Sequence, residues 1–157
     1  MNSFVFMWDQ DTWGRWEKEP SKINYVYWAQ TRLRIYPLKG LNAGDEIFVI
    51  SWNTKGVYVG GRLIVDQCGL TQSEALELKD TTGAPLIPRV VGVPASRYVS
   101  ADPRYVADFQ SRTLTAKQSS ELWGIDASNE QVQLVDGQPG QRLRTPWKIT
   151  ADSASLL

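Results

Sequence analysis

Apolar and polar positions alternate through the first eight residues, where Phe4, Phe6 and Trp8 lie on one side of an extended segment. A period of two is typical of a β-strand with one buried face. The following residues, 9–20, are polar except for two tryptophans, and we expect them to form a loop. Residues 24–28 form another short extended run, which predicts a second strand.

A β-hairpin is the most distinct local prediction. Residues 46–52 are rich in Ile, Phe and Val, and residues 57–65 form a second apolar run. The four residues between them, 53–56, have the composition of a tight turn, so the two runs should pair in antiparallel fashion. Gly60 and Gly61 in the return strand indicate a bulge or a close approach of other atoms to the backbone.

Short helices are predicted from their capping residues. The predicted helices begin at Thr71 or Ser73 and end near Lys79, begin at Asp102-Pro103 and end near Gln110, and begin at Thr115 and end at Trp123. Further short strands are expected at residues 89–93 and 131–135.

This order of elements predicts an α+β fold, a small β-barrel flanked by short helices. A doubly wound parallel sheet would need longer helices that alternate with the strands. The 157 residues fit one domain, which we place at residues 1–125. Residues 126–157 are rich in Gly, Pro, Gln and Ser with Trp147 as an apolar anchor, so we expect a loosely packed C-terminal extension.

The composition adds an excess of tryptophan, seven residues in all, of which five lie before residue 53. Such rings either anchor a small core or stack on a planar ligand. Basic side chains are interleaved with them, although the net charge of the chain is zero. The pattern favours a planar, anionic partner, and a nucleotide fits best. The basic residues are Arg15, Lys18, Lys22, Arg32, Arg34, Lys39, Lys55 and Arg62.

Several functions are disfavoured by what the chain lacks. It has no histidine and one cysteine, Cys68, which removes the commonest general base and the usual zinc ligands. It contains no glycine-rich phosphate loop. We therefore expect a protein that is not an enzyme and needs no metal and no nucleotide cofactor. Without a signal peptide or a long apolar run, we expect it in the cytoplasm and away from membranes.

The hairpin carries a resemblance to a known superfamily. The segment from Gly44-Asp-Glu-Ile to Gly-Gly-Arg-Leu63 is similar to the central hairpin of PUA-like domains. Its Gly-Asp turn resembles the EVE branch, and Ser51, Asn53, Tyr58 and Gly60 fall where the YTH branch has a comparable pattern. Upstream, the stretch from Trp28 to Leu33 resembles the tryptophan motifs of both branches.

The resemblance implies a PUA-like, EVE- or YTH-like domain that accepts a flipped, often methylated base in an aromatic pocket. The partner would be DNA or RNA that carries the modified base, and an effector protein could act in trans. The pocket residues would be Trp28, Asn53, Ser51 and Thr31, with Trp13 and Trp16 approaching from the loop. Phosphate contacts would come from Arg15, Arg32, Arg34 and Lys55.

Two alternatives stay open at this point. One is a small hydrolase of the related ASCH type acting on a modified nucleoside, for which Lys22, Thr31 and Glu46 are the candidate residues. The other is a protein-interaction module, which would display its tryptophans on a flat exposed patch. Two core assignments accompany them: Trp8 is expected in the core, and so is Trp52, which shares strand parity with Phe48 and Ile50.

Overall fold

The structure, a computed structural model, describes residues 1–18, 22–28, 40–86, 96–106, 108–136 and 141–157. Within these ranges nine strands form one mixed sheet flanked by short helices, so the expected α+β class is confirmed. The strands are β1 (Ser3–Met7), β2 (Tyr25–Trp28), β3 (Glu46–Asn53), β4 (Gly56–Leu70), β5 (Arg97–Ala101), β6 (Arg112–Thr113), β7 (Trp123–Ile125), β8 (Gln131–Gln133) and β9 (Trp147–Ile149). The helices are α1 (Gln10–Lys18), α2 (Gln72–Glu77), α3 (Ala116–Ser120), a 3-10 helix (Gln141–Arg144) and α4 (Ala151–Leu156).

The sheet is open, so the expectation of a closed barrel is wrong. Its strand order is β2-β5-β4-β3-β1-β9-β7-β8, with β6 beside β4. The strand β1 is paired along both edges, parallel to β3 and antiparallel to β9. Because neither edge of β1 is free, β2 cannot close a barrel against it. The two strands still meet through side chains, since the rings of Trp28 and Phe6 lie 6.3 Å apart.

The predicted hairpin is confirmed. Strand β3 pairs antiparallel with β4 from Glu46 opposite Ile64 to Asn53 opposite Gly56, which leaves a two-residue turn. The register shifts between Val49 and Ile50, as expected for a bulge at the glycine pair.

Two hydrophobic cores cover the two faces of the central strands. Phe4, Phe6, Ile47 and Val49 belong to the first core, whereas their neighbours, such as Val5, belong to the second. Alternate residues of β1 and β3 therefore point to opposite faces, and both faces are buried. Trp8 is buried in the first core and Trp52 packs against the second, as expected from sequence.

The C-terminal segment is part of this framework, in contrast to the loose packing that its composition suggested. Strand β9 pairs with β1 and β7 near the centre of the sheet. Leu134, Leu143 and Ile149 are buried in the second core. A few large apolar residues among many polar ones are sufficient here, because each occupies a buried position.

The helix predictions have mixed outcomes. Thr71 and Thr115 begin α2 and α3 with complete capping boxes, as predicted, although α3 ends before Trp123. The helix expected at Asp102 is absent from residues 102–106 and 108–110. The Asp102 carboxylate instead accepts hydrogen bonds from the backbone and side chain of Arg104, which closes a turn. The strand expected at residues 89–93 lies outside the described residues.

Candidate functional site

The segment after β1 is a helix, so the loop expected at residues 9–20 is wrong for residues 10–18. Asp9 caps α1, because its carboxylate accepts a hydrogen bond from the backbone N–H of Thr12 at 2.7 Å. Trp13 and Trp16 are three residues apart, so the helix directs both rings to the same side. The polar composition concealed this amphipathic pattern, which depends on these two indoles.

Trp13 lies in the first core and is only 4% exposed. Its ring meets Phe109 edge-on at a centroid distance of 4.9 Å, and its indole N–H donates to the Glu17 carboxylate at 3.0 Å. These contacts leave little ring face for a ligand. Trp13 is therefore a core anchor, and the expectation that it walls a pocket is not supported by this geometry.

Trp16 and Trp28 occupy a different position, because both are half-buried at the margin of the first core. Trp16 stacks on Trp8, with 4.9 Å between ring centroids and 29° between planes. Trp28 meets Phe6 edge-on. We call Phe6 and Trp8 the supports of these two indoles, and we call the four residues together, Trp16, Trp28, Phe6 and Trp8, the indole margin.

The two supports are neighbours on one face of the sheet. Phe6 and Trp8 are two residues apart in an extended chain, and the Trp8 N–H donates to the Ile50 carbonyl at 2.9 Å, which continues the pairing. Same-face side chains on a strand are about 7 Å apart. The indole margin thus places two partly exposed indoles on adjacent supports.

Ser51 and Asn53 are engaged within the protein. The Ser51 hydroxyl is 1% exposed, donates to the Trp8 carbonyl at 2.8 Å and accepts from the Gln10 amide at 2.8 Å. The Asn53 carbonyl oxygen accepts from the backbone N–H of Lys55 at 2.7 Å and from the Tyr58 hydroxyl at 3.2 Å. The described contacts bring neither residue to Trp28, so the pocket expected from sequence stays a prediction.

Charges of both signs lie near Tyr27, the neighbour of Trp28 in β2. Burial raises the pKa of the Tyr27 hydroxyl, the Asp9 carboxylate raises it further, and the Arg15 guanidinium opposes them. Tyr27 packs against a different cluster from Trp28, so Arg15 is placed beside the margin by its position next to Trp16 in α1. Lys55 is exposed in the hairpin turn. Three of the predicted contacts, Thr31, Arg32 and Arg34, lie outside the described residues.

Of the three candidate hydrolase residues, Thr31 lies outside the described residues, and Glu46 and Lys22 make separate contacts. The Glu46 carboxylate accepts hydrogen bonds from the Ser3 hydroxyl at 2.6 Å and from Arg62 at 3.0 Å. Lys22 is exposed and forms a backbone bridge with Asp108. Across the described ranges, no group of three or more acidic or cysteine side chains is arranged to hold a metal.

A separate concave surface was not expected from the sequence. It is a cleft of about 800 Å³ at the point where β3 begins, β4 passes its midpoint and β5 ends. Its lining includes Arg62, Ile64, Asp66, Arg104 and Tyr105, and we call it the β4 cleft. The one signal in the sequence was the alternation of Arg62, Ile64 and Asp66, which puts all three on the same strand face.

No helix in the described part of the chain combines the length and the apolar character of a membrane span. Comparison with known proteins gives little beyond the fold. No family model matches the chain, and no curated protein matches it.

A solved structure, described as that of a hypothetical protein from Leishmania major, is similar, with a TM-score of 0.52 and 15% sequence identity. The match covers 99% of this chain and 90% of that one. At this identity the similarity shows the fold alone.

Proposed function

We propose that this protein is a non-enzymatic reader, a PUA-like domain that binds nucleic acid by stacking one flipped, modified base at the indole margin. The observation that carries the proposal is the pair Trp16 and Trp28, half-buried on adjacent supports. A base held between two walls needs about 7 Å, twice the spacing of roughly 3.4 Å between stacked bases. The proposal therefore requires about this separation between the rings of Trp16 and Trp28.

The energetics of flipping agree with the arrangement. A base removed from a helix loses a few kcal/mol of pairing and stacking. Each aromatic wall can return about 1–3 kcal/mol. A methyl group on the base would add apolar area for the same rings to cover, and this favours a modified base.

Positive charge near the margin supports a nucleic-acid partner. Arg15 is exposed and lies next to Trp16 in α1, where it shares the neighbourhood of Tyr27 with the Asp9 carboxylate. It forms no ion pair with the described residues. Its one described side-chain hydrogen bond is a contact of 3.3 Å to the Thr12 hydroxyl. A guanidinium with five donors retains enough of them for a phosphate. The same proposal locates the protein in the cytoplasm, where Cys68 would stay reduced.

The test is fluorescence anisotropy with labelled DNA and RNA oligonucleotides that carry unmodified, methylated or hydroxymethylated bases. We expect one modified oligonucleotide to bind best and Trp16→Ala or Trp28→Ala to weaken it by about 10-fold or more. Trp123→Ala is the matched control, because Trp123 is exposed in β7 and outside the indole margin. Arg15→Ala should reduce the slope of log affinity against log salt concentration by about one, because one phosphate contact is lost.

The proposal fails if no oligonucleotide binds at low salt. It also fails if the folded Trp16 and Trp28 variants, checked by circular dichroism and thermal melting, bind as tightly as the Trp123 control.

A further inference from the structure

The β4 cleft is open to solvent and has the volume of a small-molecule site. Its volume of about 800 Å³ is within the usual range for ligand pockets, roughly 300–1,000 Å³. Ile64 and Val106 provide apolar surface in the cleft, and charged side chains and Tyr105 lie around it. Tyr105 is 58% exposed, which is unusual for a large aromatic side chain.

The side-chain charges around the cleft are of both signs. Two arginines and two aspartates line it, together with Met1. Each arginine is also held by an acid: Arg62 by Glu46 at 3.0 Å and Arg104 by Asp102 at 2.6 Å. An uncharged ligand with both donors and acceptors fits this arrangement better than an anion.

Strand β4 presents these groups in a row. Arg62, Ile64 and Asp66 alternate along the strand and all line the cleft. Arg62 gives one guanidinium nitrogen to Glu46 and keeps other donors. The Asp66 carboxylate is exposed and interacts electrostatically with the Arg104 guanidinium, and it accepts no hydrogen bond from the described residues. The row therefore offers a donor, an apolar surface and an acceptor in order.

The side chains of Asp102, Arg104 and Tyr105 also line the cleft, beside the row on β4. Asp102 and Arg104 form a bidentate pair, with Nε and Nη2 of Arg104 donating to the carboxylate at 3.0 and 2.6 Å. The pair orients the guanidinium, whose carbon lies 5.3 Å from the centre of the Tyr105 ring. Because the guanidinium lies over one face of the Tyr105 ring, a planar ligand would stack on the other face.

We propose that the β4 cleft binds guanine, as the free nucleoside or as an unpaired base in a nucleic acid. Guanine has acceptors at O6 and N7, which suit Arg62, and donors at N1 and N2, which suit a carboxylate such as Asp66. The ring would lie over Ile64 and against Tyr105. This site is separate from the indole margin, because Trp28 pairs with Arg97 at the start of β5, whereas Asp102 follows its end.

The experiment is isothermal titration of the whole 157-residue chain with guanosine, inosine and cytidine. Guanosine should bind with a dissociation constant of about 1 mM or tighter. Inosine lacks the N2 amino group, so it should bind about 10-fold more weakly. Cytidine, with one ring, should be weaker still. An oligonucleotide with a single unpaired guanine, compared with free guanosine, distinguishes the two sources of the ligand.

Variants separate recognition from folding. Tyr105→Ala should weaken guanosine by about 10-fold, and Asp66→Ala should remove the preference for guanosine over inosine. Both side chains are exposed, so the variants should fold. Trp28→Ala should leave guanosine binding unchanged, which makes failure here distinguishable from failure of the reader proposal. The inference is overturned if guanosine does not bind, if Asp66→Ala keeps the preference, or if a zwitterionic amino acid such as glutamine binds more tightly.

Discussion

At the scale of single residues, Gly60 determines how closely the aromatic side chains approach the sheet. A Cβ built on Gly60 would overlap the Phe109 ring and lie 2.9 Å from Cη2 of Trp13. Any larger residue would push these rings away from β4. The position requires glycine because the core is already filled there.

Gly60→Ala should therefore destabilise the protein by about 1–3 kcal/mol, the usual cost of overpacking a core. Gly14→Ala is the matched control, since a Cβ at Gly14 in α1 meets no atom within 4 Å. That change should instead stabilise the fold by about 0.5–1 kcal/mol through helix propensity. Urea denaturation of both variants measures the difference, and equal midpoints would contradict the explanation.

The Gly-Asp turn is another residue-scale feature, and the structure gives its physical basis. Gly44 adopts a positive φ of 88°, which glycine tolerates best. The Asp45 carboxylate accepts from the backbone N–H groups of Asn2 at 2.7 Å and Asn42 at 2.9 Å. The turn therefore fastens the start of β1 to the start of β3. Sequence located the turn, but the partner at Asn2 depends on tertiary structure.

At the scale of elements, the sequence predicted what local interactions determine. The β3–β4 hairpin joins neighbouring strands through a short turn, and Thr71 and Thr115 bond within their own helices. The helix α1 was missed because its apolar face consists of two indoles in a polar segment. The helix predicted to begin at Asp102 was wrong because a side chain that can cap a helix can also close a turn. Of the site residues predicted from the sequence, Trp16 and Trp28 remain candidates for stacking on a ligand.

At the start of α1, two substitutions of Asp9 distinguish the effect of its negative charge from the effect of its helix cap. Asp9→Ala should cost about 1 kcal/mol of stability, whereas Asp9→Asn should cost little, because asparagine caps as well as aspartate. Both changes remove a negative charge near Tyr27 and should lower the pKa of its hydroxyl, which is raised by burial and by Asp9. Thermal melting and an ultraviolet titration of tyrosine measure the two effects. An unchanged midpoint for Asp9→Ala would contradict the capping role.

At the scale of the whole molecule, β4 joins the two cores. Leu63 and Val65 of this strand lie in the first core, and Val57 and Val59 lie in the second. The strand pairs with β3, β5 and β6 over its length. Contacts this distant in sequence could not be predicted from local patterns. We expect the two cores to unfold together because they share this strand.

Removal of the C-terminal segment, residues 126–157, tests whether the two cores unfold together. A chain that ends at Ile125 loses β9 and three buried leucine and isoleucine side chains, so it should not unfold cooperatively. Ile149→Ala in the full chain should cost about 2–5 kcal/mol, which tests the same contact without truncation. If calorimetry shows a cooperative transition for residues 1–125 with a midpoint near that of the full chain, the C-terminal segment is not required for folding of the two cores.

The double pairing of β1 also bears on synthesis. This strand is translated before both of its neighbours, and one of them, β9, follows long after the other, β3. Until then, β1 has an unpaired edge with Phe4 and Phe6 close by, and such edges recruit other strands. The nascent chain should therefore depend on chaperones until Trp147–Ile149 emerge.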